Sequence, residues 1–314
     1  EKMYFYRFTN RFDMGRYYTE TVYEDNRFVV YKNPHSFPLA YGTNSLVKNI
    51  QFGANNAFAN QNIILNSMEG HQKNTGDYVE YFKPLAFTGI ETENLIEEKV
   101  NKDTGEAIYR RADSSKEGII RYKVIPQSNN TYYFFVPASL IPKQDYSVLV
   151  NNKWLPNSKT FTQRQIWQLT DMTENQESVI EFRFRTDAID MSQAGVYRAE
   201  LDQIQEVLEK RKQQGLKVTK FSNTHIEGNV TITDDSDVMM TSIPYSAGWQ
   251  VKVDGQSVPT ERAWNSFLSF PITKGKHKVE FVFKTRGSLI GALLSIVAVV
   301  SLVIIRKRWK EEHA

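Results

Sequence analysis

The segment WQVKVDGQSVP, residues 249–259, reads as two short runs joined by an Asp-Gly pair. A two-residue turn of type I′ needs positive φ at both central positions, which Asp and Gly tolerate best. Such a turn places Val253 opposite Gln256 and Val251 opposite Val258, leaving an apolar face on both strands. A second segment, YSVLVNNKWLP at residues 146–156, aligns with the first without a gap, and Asn151-Asn152 suits the same turn. Each copy follows a β-rich run ending in Pro, TYYFFVP at 131–137 and VMMTSIP at 238–244. Each precedes a strand of similar wording, VIEFRFRT at 179–186 and KVEFVFKT at 278–285. The offsets are 103 residues at the hairpin and 99 at the later strand, a drift that loops absorb. Two matches in the same order indicate an internal duplication.

Both copies alternate as half-buried strands should. Trp249, Val251 and Val253 share one face and Gln250 and Lys252 the other, while Ile180, Phe182 and Phe184 match Val279, Phe281 and Phe283. Short alternating strands between Asn, Asp, Gly and Pro turns fit β-sandwiches better than a parallel sheet. The expected fold is mainly β, with tandem β-sandwich domains over 84–190 and 218–286. A mixed α/β opening region over 1–83 precedes them, with a strand in RFVVYKN (27–33) stopped by the turn signals of NPHSFP. A short helix is expected in NNAFANQNIILNSMEG (55–70), where Phe58, Ile64, Leu65 and Met68 fall near helical spacing and Gly70 sits at C′. An amphipathic helix joins the sandwiches over 191–217, with Tyr197, Leu201, Ile204 and Leu208 as the stripe that packs onto a sheet and Gly215 as its end.

Composition narrows the function classes. The chain has 314 residues, 40% of them hydrophobic and 13% aromatic, which excludes disorder. It has no cysteine, so no disulfide framework or thiolate metal site is available. The tail from Arg306 takes four of the 39 basic and two of the 36 acidic residues, leaving 35 against 34 upstream. That balance argues against a nucleic-acid partner. Ser288–Ile305 is 18 residues without a charge. At about 1.5 Å per residue it reaches roughly 27 Å, near the hydrocarbon thickness of a bilayer. A transmembrane helix is therefore expected over 287–306, with a cytoplasmic tail over 307–314 set by its basic residues and anchored by Trp309. Gly291, Ala292, Ser295, Ala298 and Ser301 suit packing against upstream membrane helices of the same protein. The bulk of the chain is then extracytoplasmic. With no signal peptide ahead of Glu1, the expectation is the C-terminal part of a longer membrane protein.

Phosphate-cradling glycine loops, HExxH, EF-hand and G-x-S-x-G patterns are all absent from the sequence. His35, His71, His225, His277 and His313 are scattered singly without metal-ligand spacing, and His277, at the start of a strand, reads as solvated. No catalytic residue and no metal ligand is assigned. Trp249 could stack a sugar, but its phase with Val251 and Val253, and Tyr146 at the matching place, favour the core. Asp254 reads as turn chemistry. Lys252, Arg262, Lys274, Lys276 and Lys278 are the candidate substrate-binding residues, a basic group able to hold an anionic polymer through charge.

Four segments together resemble the YfhO family of bacterial membrane proteins: VYKNPHSFPLAYG (30–42), NNAFANQNIILNSMEG (55–70), SIPYSAGWQVKVDGQ (242–256) and ITKGKHKVEFVF (272–283), the last running into the apolar stretch. The resemblance implies a multi-spanning glycosyltransferase of the GT-C type with a large extracytoplasmic C-terminal part. It implies a sugar on polyprenyl phosphate as donor and a cell-wall polymer such as lipoteichoic acid as acceptor. The catalytic acid of such enzymes lies in an early loop between membrane helices, so the resemblance brings no catalytic residue to this chain. The portion would be accessory, positioning the acceptor or bracing the membrane core. The alternative is a membrane-anchored surface protein whose sandwiches bind a glycan or a protein without catalysis. A secreted glycoside hydrolase fits poorly, since no carboxylate pair is visible.

Overall fold

A computed structural model describes residues 2–6, 20–26, 28–33, 36–53, 56–101, 106–136, 146–155, 165–285 and 287–312. Arg27, Pro34, His35, Asn55, Pro137, Pro156 and His313, which figured in the expectations, lie outside the described residues. The chain divides into two units, one of Glu1–Phe37 with Ile50–Lys210 and one of Pro38–Asn49 with Arg211–Ala314.

Each unit holds a sandwich, and the two sandwiches are the same construction. In the first, a five-stranded sheet runs in the order Lys153–Trp154, Tyr146–Val150, Ser178–Phe184, Gly118–Val124, Gly89–Glu93. In the second, the order is Gln256–Val258, Trp249–Val253, Gly275–Phe283, His225–Ile232, Lys217–Phe221. The register agrees as well as the order. Tyr146, Val148 and Val150 face Phe184, Phe182 and Ile180. Trp249, Val251 and Val253 face Phe283, Phe281 and Val279. The duplication read from the sequence is thus a duplication of pairing geometry. Both hairpins turn as expected, with positive φ at Asn151 (47°) and Asn152 (65°) and at Asp254 (51°) and Gly255 (83°). Val253 pairs with Gln256 and Val251 with Val258.

A four-stranded sheet closes each sandwich. The first consists of Gln165–Leu169, Thr131–Val136, Gly195–Ala199 and Phe82–Leu85. Ile120, Phe134, Val136, Val148, Ile180 and Phe182 meet between the layers with no exposure. The second consists of Glu261–Ala263, Phe267–Pro271, Val238–Pro244 and Ala40–Thr43, and buries Met239, Leu268, Phe270, Val279 and Phe281. Each fully buried side chain of this size contributes about 1.5–3 kcal/mol of transfer free energy.

The outer strand Ala40–Thr43 comes from far upstream, and Arg211 holds it. That side chain is 2% exposed. Its guanidinium donates to the carbonyl of Gly42 (3.2 Å), to Ser236 Oγ (2.9 Å) and to Asp234 Oδ2 (2.8 Å). In the first sandwich the neighbour of the matching strand is Gly195–Ala199, from the downstream side of the same repeat.

The strand expected near residues 27–33 is Phe28–Lys32, the centre of a small sheet with Lys2–Tyr6 and Thr21–Glu24. The expected helix forms as α1, Ala57–Glu69, capped by Asn56 Oδ1 at the amides of Phe58 and Ala59 and closed by Gly70 at φ 85°. The second helix, α2, spans Leu201–Gln213. Its stripe differs from the expected one. Tyr197 belongs to the strand Gly195–Ala199, opposite Tyr133 and Pro84, and Leu201 is exposed. Ile204 and Leu208 of the expected stripe are half-buried, and Val207 and Arg211 are buried beside them.

The third helix, α3, spans Ser288–Glu312. Among the described residues, no helix is long and apolar enough to cross a membrane, so the expected span is not found there.

Candidate functional site

The five basic residues singled out from sequence do not gather in one place. Lys252 and Lys278 lie on the outward face of the five-stranded sheet of the second sandwich, where carboxylates meet them. Lys252 Nζ is 3.4 Å from Glu280 Oε2, and Lys278 Nζ is 3.2 Å from Glu227 Oε2. Glu227 also receives Lys220 at 3.5 Å, and His225 Nε2 stands 3.1 Å from both Glu227 and Glu280. The hydrogen bond from Lys278, against some burial, holds the Glu227 carboxyl below its usual range, with Lys220 adding to it. On this face three lysines share two carboxylates, a ladder of paired charges common on a solvated sheet surface. Lys274 and Lys276, at the turn into strand Gly275–Phe283, are exposed and form no ion pair among the described residues. Arg262 belongs to the other sheet of the sandwich, where its guanidinium lies 4.9 Å from the ring centroid of Tyr245.

Trp249 packs against the core edge-on to Phe283, with ring centroids 5.1 Å apart. Gly248 makes room for that contact. A Cβ there would come within 2.7 Å of the Phe283 ring and 2.8 Å of the Lys284 carbonyl oxygen.

Asp254 does more than turn the chain. Its amide donates to the carbonyl of Lys278 (2.8 Å), its Oδ1 accepts from the Lys278 amide (2.8 Å), and its Oδ2 lies 2.7 Å from His277 Nδ1. His277 Nε2 lies 2.9 Å from the carbonyl of Thr273. The solvated reading of His277 is therefore corrected. The side chain is only 11% exposed, and both ring nitrogens face acceptors. Asn151 makes the same bonds in the first copy, its amide donating to the Val179 carbonyl (2.9 Å) and its Oδ1 accepting from the Val179 amide (2.9 Å). The bond from His277, then that from the Lys278 amide, lowers the Asp254 carboxyl below its usual range.

The open face of the first sandwich carries a cluster that sequence reasoning missed. Trp154, on the outermost strand of the five-stranded sheet, is 57% exposed. The Arg183 guanidinium lies 5.7 Å from its ring centroid. Glu181, 6% exposed, accepts from Nε of Arg183 and Nε of Arg121, each at 2.5 Å. Arg121 also donates to Glu93 at 2.7 Å. A signal was available: in the aligned hairpins Trp154 stands against Ser257, so the large aromatic is not part of what the copies share. Among the described residues, no group of His, Asp and Glu is arranged to hold a metal ion.

These features define a duplicated, mainly β protein whose shared pairing geometry is filled by apolar side chains and whose two outward faces differ. A sequence profile described as Bacterial membrane protein YfhO matches residues 4–295, and the chain belongs to that family of bacterial membrane proteins. A relative described as Uncharacterized protein YfhO, from Bacillus subtilis (strain 168), is 31% identical over 72 residues. That match takes 23% of this chain and spans 8% of the relative's length. Among solved structures, the conserved protein of unknown function PA5104 from Pseudomonas aeruginosa PAO1 is 9% identical over 64% of this chain and 92% of its own, with a TM-score of 0.17. The apo β-glucuronidase of Ruminococcus gnavus is 9% identical over 67% of this chain and 43% of its own, with a TM-score of 0.28. The CBM32-1 and CBM32-2 domains of Clostridium perfringens ZmpB in complex with GalNAc are 8% identical over 80% and 96%, also at 0.28. Likenesses this low decide neither fold nor ligand.

Proposed function

We propose that the chain is the extracytoplasmic portion, with its final membrane helix, of a membrane glycosyltransferase that passes a sugar from polyprenyl phosphate to a cell-wall polymer such as lipoteichoic acid. The observation that carries this reading is family membership across residues 4–295. The two sandwiches supply no catalytic residue in it. They brace the enzyme's membrane helices or present the acceptor.

Helix α3 suits the membrane part of the role. Leu293, Leu294, Ile296, Leu302 and Ile305 are all exposed. Ser295 and Ser301 donate back along the helix to the carbonyls of Gly291 (2.9 Å) and Val297 (2.8 Å), so neither hydroxyl is left unpaired in lipid. With Ser288, Leu289 and Ile290 included, the uncharged run reaches roughly 27 Å, and the basic residues after it favour a tail on the cytoplasmic side.

An anionic polymer is held most readily by Lys274 and Lys276, whose charges no carboxylate among the described residues offsets. Lys252 and Lys278 are already met by Glu280 and Glu227, and Arg262 lies on the other sheet. Reversing both charges (Lys274→Glu with Lys276→Glu) in the full-length protein should lower the sugar content of the polymer at unchanged protein level. An unchanged sugar content would remove the acceptor role.

The second reading, a membrane-anchored binding protein without catalysis, is favoured by the exposed Trp154 beside Arg183. Deleting the protein separates the two. The glycosyltransferase reading expects loss of a sugar from the polymer, and the binding reading expects the polymer unchanged.

A further inference from the structure

We infer that Trp154 and Arg183 form a binding site for a neutral pyranose on the open face of the first sandwich. The site belongs to the first unit, whereas the lysines discussed above belong to the second, and it stands whether or not the parent protein transfers a sugar.

The argument begins with what is fixed and what is free. Arg183 is bonded through Nε to Glu181, which is buried and held in turn by Arg121. One edge of its guanidinium is therefore anchored, while its terminal amines make no hydrogen bond among the described residues. Those donors sit beside an indole that is 57% exposed. An exposed aromatic plane offers a surface for the C–H face of a sugar ring, and a guanidinium at its margin offers donors for ring hydroxyls.

Charge selects the ligand class. Arg121 and Arg183 are balanced by Glu181 and Glu93, Lys123 by Glu91, and Lys153 by Asp171 at 3.2 Å. With no net charge to complement, the site favours a neutral ligand over a phosphate or carboxylate. The duplication supplies a control. The matching positions of the second sandwich are Ser257 and Val282, so the shared frame does not require this pair.

The test uses the full chain in a detergent without a sugar headgroup. Maltotriose, galactobiose and N-acetylchitotriose are the probes at millimolar concentration, read by saturation transfer from protein to sugar protons. At least one probe should bind, with transfer strongest on one face of a ring. Trp154→Ala should weaken binding by roughly fivefold to tenfold, the factor of a stacked aromatic. Trp154→Phe should retain most of it and Arg183→Ala should weaken it, while both Trp154 variants keep the wild-type melting temperature. Binding should be the same in low and high salt. The inference is overturned if no probe binds the wild type, or if Trp154→Ala binds as the wild type does. Binding that fades with salt, or a Trp154→Ala variant that loses only a protein partner, would equally overturn it.

Discussion

Asp254 and Asn151 occupy matching turns and make matching bonds, each accepting from and donating to one residue of the neighbouring strand. Asp254→Asn should keep both the positive φ and the bond to the Lys278 amide, whereas Asp254→Ala loses the side-chain bonds and strains the turn. The expected order of melting temperatures is wild type, then Asp254→Asn, then Asp254→Ala. Because the folded-state carboxyl lies below its ordinary value of 3.8, its contribution is present above that pH and is lost as pH falls through the folded value. The gap between wild type and Asp254→Ala should therefore close on acidification. A gap that widened in acid would contradict the bond pattern. Gly248 makes a steric case. Gly248→Ala drives a methyl into the Phe283 ring and the Lys284 carbonyl, and should cost about 1–3 kcal/mol in denaturant titration.

At the scale of elements, helix α1 is fastened by two asparagines. Asn62 bonds both the carbonyl and the amide of Phe82 (2.9 and 2.8 Å), and Asn66 bonds those of Val79 (2.7 and 2.8 Å). Spaced four apart on one face, they pair with an extended segment as a strand would. Asn66→Ala leaves a donor and an acceptor unpaired in a buried place and should cost about 1–3 kcal/mol, measurable by urea unfolding. The hairpin turns, their register and the capped helix were legible in the sequence because each depends on neighbours within a few residues. The asparagine clamp was not, because Asn reads as a polar residue until the segment it bonds is known. The Trp154 cluster was hidden for the same reason: Glu181, Arg121 and Arg183 come from strands whose pairing fixes the site. For α2, the periodicity was legible but Tyr197 was drawn into a strand by its pairing with Tyr133.

At the scale of the molecule, the second sandwich is completed by a strand from residues 40–43 and sealed by Arg211. Burial raises the cost of charge at Asp234, but Ser236, Gln214 and Arg211 together hold its carboxyl well below the usual carboxylate range. Truncating Arg211 removes a buried guanidinium that bonds Asp234, Ser236 and the Gly42 carbonyl, so Arg211→Ala should cost about 1–3 kcal/mol and lower the unfolding midpoint of the second unit. A fragment of residues 211–286 should likewise unfold at lower urea than the same fragment joined to residues 38–49. Equal midpoints would mean that the upstream strand contributes nothing.

The proposed role requires both sandwiches to stand outside the membrane and the basic tail inside. The chain contains no cysteine, so, once any cysteine elsewhere in the full-length protein is replaced, single cysteines placed at Ser257 and at Glu311 can be read cleanly in intact cells. A membrane-impermeant maleimide should label Ser257→Cys at once and Glu311→Cys only after lysis. Labelling of both positions, or of the tail alone, before lysis would contradict the assignment.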